Sequence, residues 1–514
     1  MMRHLTRARH AGAMAIGAGV APRRFAPYHL AMRLPSVALS IIIALAATRP
    51  AVAQSLQPKW SDVERETLEH FQALLRLDTR NPPGNERRAA DYLKSVFDRE
   101  GIPARILALD SNRTNVVARL KGTGRKRPLL IMGHTDVVTV DSTKWTHPPF
   151  AATRDGGYVY GRGAVDDKDN VAAGLMTMLL LKRLKVPLDR DVIFLAESGE
   201  EGNTRVGIGF VTSEQLPEIE AEYCLAEGGG TTRIGGEVKY ATVQTLEKRG
   251  RGIELIARGI AGHGSVPLAS NAIVHLAGAV ARIGAWRPEI RLNETTRAYF
   301  ERLAAISPPD VAQHYRGVLS ADSAVRRAAD DWLYEHEPRH SSMLRTSASP
   351  NVITGGYRSN VIPSEARATL DVRMLPDEDA DRFADAMKKV VNDPAVEVRV
   401  SSAFGRPTGV ESRLDSEAFK AIEASVRRVY NVPTIPVMGT GATDMSFTRA
   451  KGIQCFGIGP AIDMEDGPRG FGAHSDQERI LESELHRFVR LNWDIVTSLA
   501  SPKEGAARPR AGQR

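Results

Sequence analysis

Two pairs of adjacent acids stand out in this chain, Asp166-Asp167 in GRGAVDDK and Glu200-Glu201 in SGEEG. Neighbouring carboxylates repel, and either pair alone would read as a helix cap or a turn. Neither pair is alone. The run PLLIMGH ends in His134 with Asp136 two residues on, a spacing that puts both side chains on one side of an extended strand. That pattern fits an imidazole that binds a metal while a carboxylate holds its other nitrogen. The glutamate pair closes the strand-like run DVIFLAES, and Glu227 in LAEGGG and His474 in GFGAHSDQE each follow an apolar run beside glycines. Negative charge gathered at strand ends calls for a divalent cation. The mixed imidazole and carboxylate donors suit zinc, and cobalt or manganese can take the same ligands.

The blocks GHTDVV, WTHPPF, DGGYVYGRGAVDDK, ESGEEG, EGG, GHGSVP, SNVIPSEARATLDVRMLP, GTGATD and GAHSDQE run in order from about Pro82 to Glu478. In this they resemble the co-catalytic zinc metallopeptidase and aminoacylase family, which includes carboxypeptidase G, carboxypeptidase S, aminoacylase, carnosinase and succinyl-diaminopimelate desuccinylase. The likeness is nearest to the carboxypeptidase S and N-acyl-amino-acid hydrolase branch.

The resemblance implies two zinc ions per chain, held by His134, Asp166, Glu201, Glu227 and His474, with Asp166 bridging them. It implies that Asp136 orients His134 and that Glu200 is the general base. A cis peptide bond commonly follows the bridging Asp in this family and would turn Asp167 away, as a supporting or capping residue. The implied reaction is cleavage by metal-bound hydroxide of an amide bond in small peptides or N-acyl amino acids with a free C-terminal carboxylate. His263 matches a histidine that stabilises the tetrahedral oxyanion, often from the other subunit of a homodimer. Arg373 and Asn360 match residues that hold the substrate carboxylate, with an ion pair to Asp371 as the competing reading of Arg373. Thr443 and Asp444 match a loop that borders the site. Asp169, Thr139 and Gly264 depart from the usual pattern without removing a ligand or the base. A dipeptidase or an aminopeptidase of the same family, and a catalytically silent binding protein on the same fold, remain open as alternatives.

These residues need a scaffold that brings strand ends together. After an N-terminal helix over WSDVERETLEHFQALLRL and the loop NPPGNE, helical and strand patterns alternate: RRAADYLKSVFDREG, TNVVARL, PLLIMGH, NVAAGLMTMLLLKRL, DVIFLAES, EAEYCLAE. This order predicts an α/β fold with a mostly parallel sheet and its functional residues at the strand ends. From about residue 250 to 403 the order changes to that of an inserted ferredoxin-like α+β domain, a lid and dimerisation domain by resemblance, with a polar helical insert between about Arg287 and Ser347. The catalytic domain, begun at residues 54–249, resumes over 404–501, and 502–514 form a basic tail expected to be disordered.

Composition narrows the function classes. Of 514 residues, 42% are apolar and 25% charged, as in an average globular protein. The formal charge of +8 belongs to the ends. Without the seven arginines of residues 1–53, and the four bases and one acid after Ser501, 58 basic and 60 acidic residues remain. A nucleic-acid partner is therefore not expected. Met32-Arg33-Leu34, the run VALSIIIALAA and Ala51-Val52-Ala53 read as an export signal over residues 1–53 with an A-x-A cleavage site. They point to a bacterial periplasm, no stable membrane anchor after cleavage, and a start at Met1 or Met32. The two cysteines, Cys224 and Cys455, read as buried thiols, with one disulfide as the alternative.

Overall fold

The computed structural model describes residues 57–401, 406–407 and 409–502. The export region and the basic tail beyond Pro502 lie outside the described residues.

A ten-stranded sheet forms the larger layer. Its order is Ala104–Asp110, Arg113–Leu120, Val192–Glu197, Leu129–His134, Tyr223–Ala226, Gln454–Gly457, Glu237–Glu247, Gly230–Ile234 and Ala461–Asp463, with Thr434–Gly439 pairing beside Glu237–Glu247. The central neighbours Val192–Glu197, Leu129–His134, Tyr223–Ala226 and Gln454–Gly457 are parallel. Their apolar runs are continuous because both faces are covered. Leu129 and Ile131 pack with Phe71, Leu93, Val171 and Phe488 from helices on one face. Leu130 and Met132 pack with Ile208, Phe210 and Met445 on the other. Side chains alternate between the two cores, so each strand runs edge-on between helical layers and delivers its last residue to the same end of the sheet. Helix Lys168–Arg183 is buried from Lys168 to Leu181 except at Asn170, which accounts for its apolar run.

A second sheet has the order Ser347–Gly355, Glu365–Met374, Arg249–Arg258, Val396–Val400, all antiparallel. Taken with helices Ala272–Ala285 and Ala380–Val391, which cover one face through Leu276, Ile283, Phe383 and Met387, this is the predicted βαββαβ arrangement. The other face carries Gly250, Gly252, Thr369, Asp371 and Arg373 towards the large sheet's strand ends.

The polar insert forms helices Glu294–Ile306, Pro309–Val318, Ser323–His336 and Pro338–Met343. Asn293 opens the first with reciprocal side-chain bonds to Thr296, and Asp322 caps the third. The insert interrupts the second sheet in sequence, yet its core lies elsewhere. Tyr299, Phe300, Leu303 and Leu333 pack with Leu246, Ile435, Val437 and Met438 of the large sheet. Cys224 and Cys455 are both free and buried, opposite each other on neighbouring parallel strands.

Candidate metal centre

Three neighbouring strand ends build the centre. His134 is the last residue of Leu129–His134, and Glu227 follows Tyr223–Ala226. Glu200 and Glu201 lie in the turn after Val192–Glu197, where Gly199 takes φ +80°, a conformation open to glycine at little cost. Asp166 arrives from the loop before helix Lys168–Arg183, through a cis peptide bond to Asp167. Gly133 makes that approach feasible, since a Cβ there would come within 2.8 Å of Asp167 Oδ2. His474 sits in the loop before Arg479–Leu481 with φ +62°, a left-handed conformation rarely taken outside glycine.

These side chains form three overlapping triads: His134, Asp166 and Glu227; His134, Glu200 and Glu201; and Asp166, Glu201 and His474. In each, the candidate ligand atoms all lie within 4.8 Å of one another. Asp166 spans two of them. Its Oδ1 is 3.0 Å from His134 Nε2 and its Oδ2 is 3.0 Å from His474 Nε2, which also lies 2.8 Å from Glu201 Oε1. Burial raises the Asp166 carboxyl, but hydrogen bonds from His134 and His474 outweigh it and hold the group below its usual range. Hydrogen bonds to Asp166 and Glu201 push His474 up to about 10. His134 is pushed well up against its own burial by Asp136 and Asp166. Burial drives Glu227 well above the ordinary carboxyl range and raises Glu200 as well. Acids thus outnumber imidazoles in the cluster, a setting that favours positive charge. Two histidines and three carboxylates, one of them turned to both histidines, are donors that fit a pair of zinc-like divalent cations.

Asp136 faces His134 and holds a turn as well. His134 Nδ1 lies 3.0 Å from the Asp136 backbone carbonyl and 3.6 Å from its carboxylate. The carboxylate also accepts hydrogen bonds from the backbone N–H groups of Glu200 and Glu201, each at 3.1 Å, and from Asn81 Nδ2 at 2.9 Å. It fixes the turn that carries the glutamate pair. Asp167 does not cap its helix through its side chain. Its carboxylate accepts from the His134 backbone N–H at 3.1 Å, and burial raises it to about 7.

A cavity of about 740 Å³ opens between this centre and the second sheet, lined by Glu200, Glu201, Thr204, Asp371, Arg373 and Arg406 among others. Arg373 therefore reaches the cavity, paired with Asp371 through Nε at 2.8 Å and Nη2 at 3.2 Å. Thr443 and Asp444 are buried behind the cavity wall. Thr443 donates through Oγ1 and its backbone N–H to Glu247, which also accepts from Gln244 and Arg449. His263 and Asn360 are brought together with each other, the Gly264 N–H donating to the Asn360 carbonyl, but neither lines the cavity. His263 is exposed, its Nδ1 accepting from the Ser265 backbone N–H at 3.1 Å.

Two contributors escaped the sequence reading. Glu478 is buried against Arg162 at 2.6 Å and accepts from the Val165 N–H, tying the His474 loop to the Asp166 loop. It lies within a quoted block, GAHSDQE, where its proximity to His474 was the available signal. Arg406 contacts Glu200 and Asp444 from a segment with no motif.

Comparison with known proteins bears on the family and the fold. A probable carboxypeptidase S-like protein of Dictyostelium discoideum is 30% identical over 336 residues, and the chain spans 61% of that relative's length and 61% of its own. Human N-fatty-acyl-amino acid synthase/hydrolase is 28% identical over 389 residues, covering 74% of this chain and 75% of that one. Among solved structures, an M20 family metallo-carboxypeptidase from Sulfolobus solfataricus superposes with a TM-score of 0.64 at 20% identity, covering 84% of this chain and 98% of the other. Residues 130–497 match the family described as peptidase family M20/M25/M40, so the chain belongs to that family of metallohydrolases.

Proposed function

We propose that the protein hydrolyses the amide bond of small peptides or N-acyl amino acids that carry a free C-terminal carboxylate. The observation that carries this reading is the convergence of His134, Asp166, Glu200, Glu201, Glu227 and His474 at neighbouring strand ends, with Glu200 and Glu201 on the wall of a cavity that also holds Arg373. Five of these, His134, Asp166, Glu201, Glu227 and His474, are assigned to two zinc ions. When bound, such ions supply Lewis-acid polarisation of an amide carbonyl and a more acidic water. Glu200 takes the proton of the attacking water and returns it to the leaving nitrogen. Burial raises its carboxyl above the ordinary range, which favours holding that proton between the two steps. Arg373 keeps Nη1 unengaged by Asp371 and is the cation offered to the substrate carboxylate.

Asp371 favours a second reading. Its carboxylate shares the cavity with Arg373 and can take a free amine, which would make dipeptides the preferred substrates.

His263 and Asn360 lie outside this cavity, which supports a homodimer in which the second copy brings them to it. The apolar exposure of Val274, Val352, Ile353 and Tyr357 around the second sheet is consistent with such a contact. Export to a periplasm is proposed on the residue 1–53 pattern alone.

The reading is tested with zinc-loaded protein and its Glu200→Ala variant on N-acyl amino acids and on dipeptides with free or amidated C-termini. Cleavage of free-carboxylate substrates that disappears in the variant, with two metals still bound, supports it. Equal cleavage of amidated substrates would remove the carboxylate requirement. Faster cleavage of free-amine dipeptides than of their N-acylated forms would favour the second reading.

A further inference from the structure

Arg406 lies where the chain returns from the second sheet, after Val396–Val400, to the large sheet's layers. Its guanidinium is half-buried and, among the described residues, makes three bonds to two separate elements. Nη2 donates to Glu200 Oε1 at 2.7 Å and to the Glu200 backbone carbonyl at 3.2 Å. Nη1 donates to Asp444 Oδ1 at 3.1 Å. Asp444 is itself buried and follows Thr443, which is fixed to Glu247 by two hydrogen bonds. Glu247 is held in turn by Arg449 and Gln244. An anchored chain of contacts therefore runs from the end of strand Glu237–Glu247, through the Thr443-Asp444 loop, to one oxygen of Glu200.

A planar guanidinium that grips a carboxylate oxygen and the backbone carbonyl of the same residue fixes both the position and the rotamer of that side chain. Glu200 needs such a hold, because the acids Glu201, Asp136, Glu197 and Asp444 crowd it, with His134 the other cationic neighbour. Among the described residues, Arg406 is the cation that donates to its carboxylate, and no donor reaches Oε2. We propose that Arg406 is a positioning residue for Glu200, holding Oε1 so that Oε2 faces the cavity as the oxygen that exchanges the proton with water and leaving group. The inference rests on the function proposed above, in which Glu200 is the base.

The experiment uses zinc-loaded protein and the variants Arg406→Ala, Arg406→Lys, Glu200→Ala and Arg406→Ala/Glu200→Ala. kcat, KM and bound metal are measured, with calorimetric affinity for a product amino acid. A misplaced base costs about 10²-fold in rate, so Arg406→Ala should lower kcat by roughly that factor, with KM and product affinity changed less than threefold and two metals retained. Lysine should restore part of the loss as a point charge. In the Glu200→Ala background, removing Arg406 should cost nothing further, because the two act as one unit. An unchanged kcat, a rise in KM with weaker product binding, or a further loss in the double variant would each overturn the assignment. Loss of metal in Arg406→Ala that lysine does not rescue would also overturn it, as a purely structural role. A Glu200→Ala variant that stays active would instead sink the underlying reading of Glu200.

Discussion

At the scale of single residues, the candidate centre is held in place by groups outside its three triads. Asp136 is fully buried and accepts three hydrogen bonds, two of them from the backbone of the glutamate pair. Asparagine in its place would offer one acceptor oxygen and an amide that can only donate. One of the two N–H groups of Glu200 and Glu201 would then lose its partner. Asp136→Asn should therefore lower kcat/KM by about 10–100-fold, the usual cost of losing a supporting partner at a metal site. Steady-state kinetics with metal analysis checks this, and unchanged kinetics would show that the turn holds itself. The residues with this much influence differ in how legible they were. His134, Glu227 and His474 stand out at the ends of apolar runs near glycines, whereas Asp166 and Glu201 are picked from their acid pairs by the family resemblance. Arg406 could not, because its partner Glu200 lies 206 residues away and nothing in its neighbours marks the contact.

At the scale of elements, the strands that end in ligands were legible because two-sided burial leaves them as unbroken apolar runs. The hairpin Gly230–Ile234 and Glu237–Glu247 was not. Its residues EVKYATVQTLE mix charge and β-branched side chains, and their strand state is set by pairing with Thr434–Gly439 from far along the chain. Helix contacts give a prediction of their own. Arg183, at the end of Lys168–Arg183, donates to Glu66 of Trp60–Leu75 at 2.7 and 2.8 Å and to Glu100, just after Arg87–Arg99, at 2.7 and 3.0 Å. The bond from Arg183, then that from His70, lowers the Glu66 carboxyl to about 2. A carboxyl lowered on folding contributes stability above its unfolded pKa of 4.5 and loses it as the pH falls towards 2. Discounted for solvent screening of a partly exposed pair, Glu66→Gln should cost about 1 kcal/mol at pH 7. Its difference from the wild type should shrink between pH 5 and pH 3 in urea unfolding. A gap that stays constant over that range would show that packing, and not the ion pair, carries the effect.

At the scale of the whole molecule, the placement of His263 bears on whether a second copy completes the centre. His263 and Asn360 meet at a separate two-stranded pair, Gly262–His263 with Val361–Ile362, outside the cavity that holds Glu200. Nearby, strand Ser347–Gly355 ends its sheet with Val352 and Ile353 exposed at 54% and 60%, and Ile273 packs against Gly355 and Gly356. An exposed apolar edge strand is a surface that proteins normally cover. If a second copy covers it and brings His263 to the first copy's centre, the two residues can be separated genetically. Glu200→Ala and His263→Ala chains should each be inactive alone. In a hybrid dimer, one centre combines the intact Glu200 of one chain with the intact His263 of the other, while the remaining centre lacks both. Random pairing makes half the dimers hybrid, so a coexpressed mixture should recover about a quarter of the wild-type activity per chain. Recovery near that level, together with a dimer mass in sedimentation, would establish shared centres. A dimer without recovery would place His263 in the service of its own chain, and a monomer with full activity would remove the second copy from the mechanism altogether.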